Sequence, residues 1–92
     1  MKLGSQLKKI KRVDSERYRV TLEYTDGFTG TVDLGAIFGQ PADKPLVSEI
    51  LRGALFGRCF VESGALAWPN GYELCPDALR AWIEEQRDHR AA

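Results

Sequence analysis

From Tyr18 to Tyr24 apolar and polar side chains alternate strictly, with Tyr18, Val20, Leu22 and Tyr24 set against Arg19, Thr21 and Glu23. A second alternation starts at Phe28 and places Gly30, Val32 and Leu34 opposite Thr29, Thr31 and Asp33. A period of two belongs to a strand with one buried and one wet face. Register then selects the loop between them. A two-residue turn at Asp26-Gly27 pairs Tyr24 with Thr29 and sends the two apolar rows to opposite faces. A three-residue loop pairs Tyr24 with Phe28, Leu22 with Gly30 and Val20 with Val32, which keeps both rows on one face. Such a loop closes on a left-handed residue, and Gly27 supplies it without steric cost. Gly30 leaves room opposite Leu22, enough for a neighbouring aromatic to pack.

The flanking segments complete a small mixed fold. Leu7, Ile10 and Val13 sit three apart, as in one helical turn or a bulged edge strand. Short length, β-branched residues and the strand that follows favour the strand, and the interspersed cations suit an edge guarded against intermolecular pairing. Leu34, Ile37 and Phe38 predict a short helix ended by Gly39, with Asp33 as its cap. Gln40 to Pro45 reads as a loop. Leu46, Val47, Ile50, Leu51, Leu55 and Phe56 follow helical spacing interrupted by Gly53. Ser63-Gly64 lies between Cys59–Glu62 and Ala65–Trp68, a second hairpin, and Asn70-Gly71 is a turn pair. Pro76 and Asp77 open a final helix whose stripe is Ala78, Leu79, Trp82, Ile83 and Gln86, with Arg80 and Glu84 paired on its outside. The expected architecture is α+β: an antiparallel sheet of two hairpins plus the N-terminal strand, with short middle helices and the C-terminal helix packed on one face. Residues 1–92 form a single domain, and 1–6 are expected to be a flexible N-terminal segment. No repeat or linker divides the chain.

Composition excludes several chemistries. Thirteen Lys and Arg balance thirteen Asp and Glu, which argues against wholesale coating of nucleic acid. Yet residues 1–20 hold seven basic side chains against two acidic ones. Lys8, Lys9, Lys11 and Arg12 are therefore the candidate contacts for an acidic partner or a phosphate backbone, beside the simpler reading of a solvated strand face. No apolar stretch is long enough for a membrane span, and no apolar run follows Met1-Lys2, so a cytoplasmic protein is expected. Two cysteines, Cys59 and Cys75, make no disulfide framework and read as small apolar side chains. With the single histidine, His89, they fall short of a four-ligand zinc site, so no metal or cofactor is expected. His89 lies near the C-terminus, away from any cluster that nucleophilic catalysis needs, and each carboxylate at a turn or helix start has a structural task, Glu62 and Glu73 apart. The glycines match no phosphate-cradling motif. An enzyme is not expected.

The run Trp68-Pro69-Asn70-Gly71-Tyr72-Glu73-Leu74-Cys75-Pro76-Asp77-Ala78-Leu79 resembles the C-terminal signature of a small bacterial family catalogued as domain of unknown function 2442. Tyr18-Arg19-Val20 leading to Asp26-Gly27, then Val32-Asp33-Leu34 and Leu55-Phe56, agree in order, so the resemblance spans about Leu7 to Ile83. Glu73 departs from it, an aspartate being expected there. The resemblance implies a compact α+β domain. It also implies a member of a toxin–antitoxin-like gene pair, some relatives continuing into a helix-turn-helix domain. It carries no activity and no catalytic residue. The residues themselves explain Trp68, Pro69, Asn70 and Gly71 as a corner of the fold, by turn chemistry.

The functional expectation is a non-catalytic protein-interaction domain, the antitoxin-like or regulatory member of a two-protein module, with a neighbour-encoded partner or a second copy of itself. The alternative is an accessory nucleic-acid-binding protein using the basic N-terminal segment. A homodimer is expected through the nearly uncharged Cys59–Glu62 and Ala65–Trp68 hairpin, where a lysine at Ala65 or Ala67 would break the pairing.

Overall fold

The computed structural model describes residues 5–39, 44–52 and 54–91, with side chains as far as Arg87. The expected interruption at Gly53, most of the Gln40–Pro45 loop and the His89 side chain lie outside the described residues. Strands β1 (Leu7–Asp14), β2 (Arg19–Tyr24) and β3 (Thr29–Asp33) form one antiparallel meander. Helices α1 (Leu34–Phe38) and α2 (Pro45–Leu51) follow, then a 3₁₀ turn at Phe56–Arg58. Strands β4 (Phe60–Glu62), β5 (Ala65–Ala67) and β6 (Glu73–Leu74) form a second meander, and α3 (Pro76–Ala91) closes the fold. The α+β architecture stands, but with two three-stranded sheets where one was expected.

The register argument holds. Val20 pairs with Val32 and Leu22 with Gly30, Tyr24 N–H donates to Phe28 O at 2.8 Å, and Gly27 has φ +94°. The second sheet repeats this loop with different letters. Trp68 N–H donates to Tyr72 O and Gly71 N–H to Trp68 O, both at 3.0 Å, with Gly71 at φ +93°. Asp26 in one loop and Asn70 in the other accept the next-but-one backbone N–H, each at 3.1 Å. Both loops are therefore an aromatic-X-Asx-Gly-aromatic unit, in which the Asx side chain fixes the turn and the glycine supplies the left-handed step. At the other hairpin, Ser63 and Gly64 both have positive φ, +52° and +82°, the two-residue turn that matches strand twist.

β1 explains its period of three. It pairs Leu7 with Tyr24, Ile10 with Leu22 and Val13 with Val20, with register shifts between Leu7 and Lys9 and between Ile10 and Arg12. Each shift is a bulge, two residues opposing one. Spacing of three thus becomes spacing of two on the partner strand, and all three apolar residues meet the core row of β2.

Several expectations need correction. β2 begins at Arg19, because Tyr18 takes a left-handed φ of +56° in the turn. The Tyr18 ring stays inside against Phe56, and its hydroxyl donates to Leu51 O at 3.0 Å. The neighbour filling the Gly30 gap is Ile83 of α3, not an aromatic: a Cβ at Gly30 would lie 2.4 Å from Ile83 Cγ2. α2 ends at Leu51, so Phe56 reaches the core from the 3₁₀ turn. Arg80 does not stand outside with Glu84. It pairs with Asp26 at 2.8 Å and stacks 4.1 Å above the Phe28 ring, clamping α3 to the first hairpin. Cys75 is exposed rather than packed, and burial pushes the half-buried Cys59 thiol up to about 11.

Edges are placed differently from the sequence expectation. β5 is the central strand of its sheet, bonded to both β4 and β6, and Ala67 is buried. A lysine at Ala67 would strike the core, so the Ala65–Trp68 edge does not exist. The sheets approach edge to edge: Leu7 N–H donates to Gly64 O at 2.8 Å, and Gly57 lies against Ser15, so the segment between runs back along β1. The free side of β3 is plugged by α3. Gln86 accepts from Asp33 N–H at 2.8 Å and donates to Asp33 O at 3.1 Å, as a neighbouring strand would. Arg87 donates to Thr29 O at 3.1 Å.

The core lies between the inner sheet faces and the helices and includes Val20, Leu22, Tyr24, Val32, Leu34, Ile50, Phe56, Leu66, Trp68, Leu79 and Ile83. Tyr24 donates its hydroxyl to Pro76 O at 2.8 Å, which ties the start of α3 to the first sheet. Its burial pushes the phenol well above its usual range. No described helix is long and apolar enough to cross a membrane.

Candidate functional site

Of the two faces of the first sheet, one is core and the other, among the described residues, carries no helix. The outer face is set by the polar half of the alternation: Arg19, Thr21 and Glu23 from β2, Thr29, Thr31 and Asp33 from β3. The bulges of β1 concentrate charge on it. Lys8 lies inside the first shift and Lys9 closes it, and both reach Glu23, at 3.7 and 3.9 Å. Lys11 lies inside the second shift and Arg12 closes it, opposite Thr21. All four cations are exposed. A regular strand turns every second residue inward; the two bulges let a strand of eight residues spend four positions on cations and still supply three to the core.

The candidate cations therefore fall along one strand, and the structure sets two further members of the same basic run beside them. The β1–β2 turn brings Arg17 and Arg19 back beside Arg12, because Asp14 pairs with Arg19 across the hairpin. Asp14 shapes that turn by accepting the Glu16 and Arg17 N–H groups at 3.1 and 3.2 Å. The hairpin pairing was the available signal: once Asp14 faces Arg19, the arginines on either side of the turn must neighbour Arg12. Together Arg12, Asp14, Arg17, Arg19, Thr21 and Thr31 line an open groove of about 290 Å³.

Charge in the groove is unevenly paired. Arg19 faces Asp33, with Nε 3.7 Å from Oδ2, shut from solvent and without a hydrogen bond. Asp33 Oδ1 meanwhile caps α1 through Ala36 N–H at 3.3 Å. Among the described residues, Arg12 and Arg17 have no carboxylate within salt-bridge distance. Thr21 and Thr31 share a hydrogen bond at 2.8 Å.

The signature residues are accounted for inside the fold. Trp68 is buried, donates its indole N–H to Phe56 O at 3.1 Å, and stacks among Phe38, Phe56 and Tyr72. Asn70 bonds Leu46 O and Glu49 as well as its own turn, which fastens α2 to the second sheet. Pro69 and Gly71 complete the loop. The structure does not bring these four to the basic face as part of the groove. Among the described residues no group of three or more His, Cys, Asp or Glu converges as a metal site would.

Comparison with known proteins finds no match among curated proteins and none among solved structures. A family model described as "Protein of unknown function (DUF2442)" does match, over residues 11–85, from within β1 to within α3. That stretch contains both aromatic-X-Asx-Gly-aromatic loops and the Trp68–Gly71 corner. The chain belongs to the DUF2442 family.

Proposed function

We propose that the chain is a non-catalytic protein-interaction domain that docks an acidic protein surface on the outer face of its first sheet. The observation that carries this reading is the doubly bulged β1, which sets four cations on a face that no described helix covers and that Arg17 and Arg19 extend. The setting is a two-protein module in which this chain is the antitoxin-like or regulatory member. Glu23 and Asp33 interrupt the cations, and the whole chain has a formal charge of zero. A mixed pattern of that kind discriminates among protein surfaces by matching and mismatching charge. A nucleic-acid face is more uniformly basic.

The test is capture from the native host by the wild-type chain and by a Lys11→Glu/Arg12→Glu/Arg17→Glu variant. An acidic protein retained by the first and lost by the second supports the reading. Capture of the same proteins by both overturns it. Retention of nucleic acid, with affinity falling steeply as salt rises, replaces it with the nucleic-acid reading. Self-association alone points instead to a homodimer.

A further inference from the structure

We infer that the groove between Arg12, Arg17 and Arg19 is a discrete oxyanion subsite within that face, built to take one carboxylate or phosphate-type group. The inference deepens the docking reading and rests on it.

Donor arithmetic is the argument. Three guanidinium groups line the groove, each with five N–H donors and no acceptor. Asp14 is the one carboxylate in the groove lining, so three cations face a single anion there. Asp14 spends Oδ1 on two backbone N–H groups of its turn and keeps Oδ2, too few acceptors for three guanidinium groups. Asp33 divides its oxygens between the α1 cap and Arg19. Arg12 and Arg17 are left without a carboxylate within salt-bridge distance among the described residues. The threonine pair adds to the surplus. Two hydroxyls carry two protons, and their mutual bond at 2.8 Å uses one of them. The second proton is available to an acceptor in the groove. A concave site with excess donors and excess positive charge is matched by an oxyanion, and planar guanidinium forks grip such a group with two parallel bonds. The Lys8, Lys9 and Glu23 cluster differs, since both of its cations already lie within ion-pair distance of a carboxylate. The subsite is therefore the arginine groove and not the whole basic stripe.

The experiment needs no partner. The ¹⁵N-labelled full chain is titrated at constant ionic strength with sodium phosphate, sodium acetate and sodium chloride, following arginine Nε–H signals and the amides of Asp14, Thr21 and Thr31. Saturable shifts with phosphate or acetate, beyond those with chloride, are expected. The tighter of the two identifies the source as a phosphate group or as a carboxylate side chain of the docked protein. Arg12→Ala/Arg17→Ala weakens the apparent affinity by about tenfold or more, the effect of losing charged hydrogen bonds. Lys8→Ala/Lys9→Ala leaves it within about twofold, since those lysines stand outside the groove. Thermal unfolding of each variant verifies that the fold is kept, as expected for exposed positions. Chloride-like responses to both anions, or an unchanged affinity in the arginine variant, overturn the subsite. Either result leaves the docking reading to its own capture assay, so the two failures are told apart.

Discussion

Replacing Gly30 with alanine tests how α3 is seated on the first sheet. The new Cβ would lie 2.4 Å from Ile83 Cγ2 and 2.9 Å from Arg87 Nη2. Arginine can swing away, whereas Ile83 is only 1% exposed and held by the core. Either the helix lifts or Ile83 leaves its rotamer, a form of overpacking that costs roughly 1–3 kcal/mol. Alanine gains back about 0.5–1 kcal/mol over glycine in a strand interior. The net expectation is a loss of about 1–2 kcal/mol, which in a domain of this size lowers Tm by roughly 5–15 °C. A cycle with Ile83→Ala isolates the cause. Ile83→Ala alone costs about 2–5 kcal/mol through the cavity it leaves. In that background Gly30→Ala no longer meets a clash and should be neutral or stabilising. Urea unfolding followed by circular dichroism gives all four free energies. An equal penalty for Gly30→Ala in both backgrounds would refute the claim that Ile83 occupies the space of the missing side chain.

Other perturbations have equally definite outcomes. Gly27→Val should cost about 1–2 kcal/mol by strain alone, since the position is left-handed at φ +94° with nothing within 4 Å of a Cβ; an unchanged Tm contradicts the three-residue loop. The Arg80 hydrogen bond holds the Asp26 carboxyl below its ordinary value of 3.8. A lowered native value means stability that is present above about pH 4 and lost as pH falls through the native value, so Asp26→Asn should lower stability at neutral pH, leave it nearly unchanged in strong acid, and so flatten the acid limb of a stability–pH curve. A thiol reagent at pH 8 should label exposed Cys75 quickly. Cys59, its thiol pushed up to about 11 by burial, should react only as the protein opens; equal labelling rates contradict the packing around the 3₁₀ turn.

Local periodicity and turn chemistry carried much of this fold into view. Val20, Leu22 and Tyr24 announce their face and, with Gly27, their register, because side-chain alternation permits no one-residue slip. Leu7, Ile10 and Val13 announce burial but not geometry, since a helical turn and a twice-bulged strand share a spacing of three. β6 was not legible: two residues, Glu73 and Leu74, are too few to show any period. The plug at β3 was not legible either. Gln86 looks like one more member of a helical stripe, and its strand-like pairing with Asp33 depends on where α3 crosses the sheet. The same reason hid Arg80, whose partners Asp26 and Phe28 are more than fifty positions away in sequence. At the candidate face the four cations of β1 were legible as a charge run. Arg17 and Arg19 join them only through the hairpin turn.

The claim that the outer face of the first sheet is the docking surface is tested most directly by lysine footprinting. The free chain and its captured complex are treated with an acylating reagent, and modification at each lysine is read by mass spectrometry. Lys8, Lys9 and Lys11 lie on the exposed bulged strand, and Lys44, also exposed, precedes α2 in another part of the fold. The account predicts that the partner protects Lys8, Lys9 and Lys11 while Lys44 reacts as it does in the free chain. Protection of Lys44 with Lys8, Lys9 and Lys11 unchanged would contradict it.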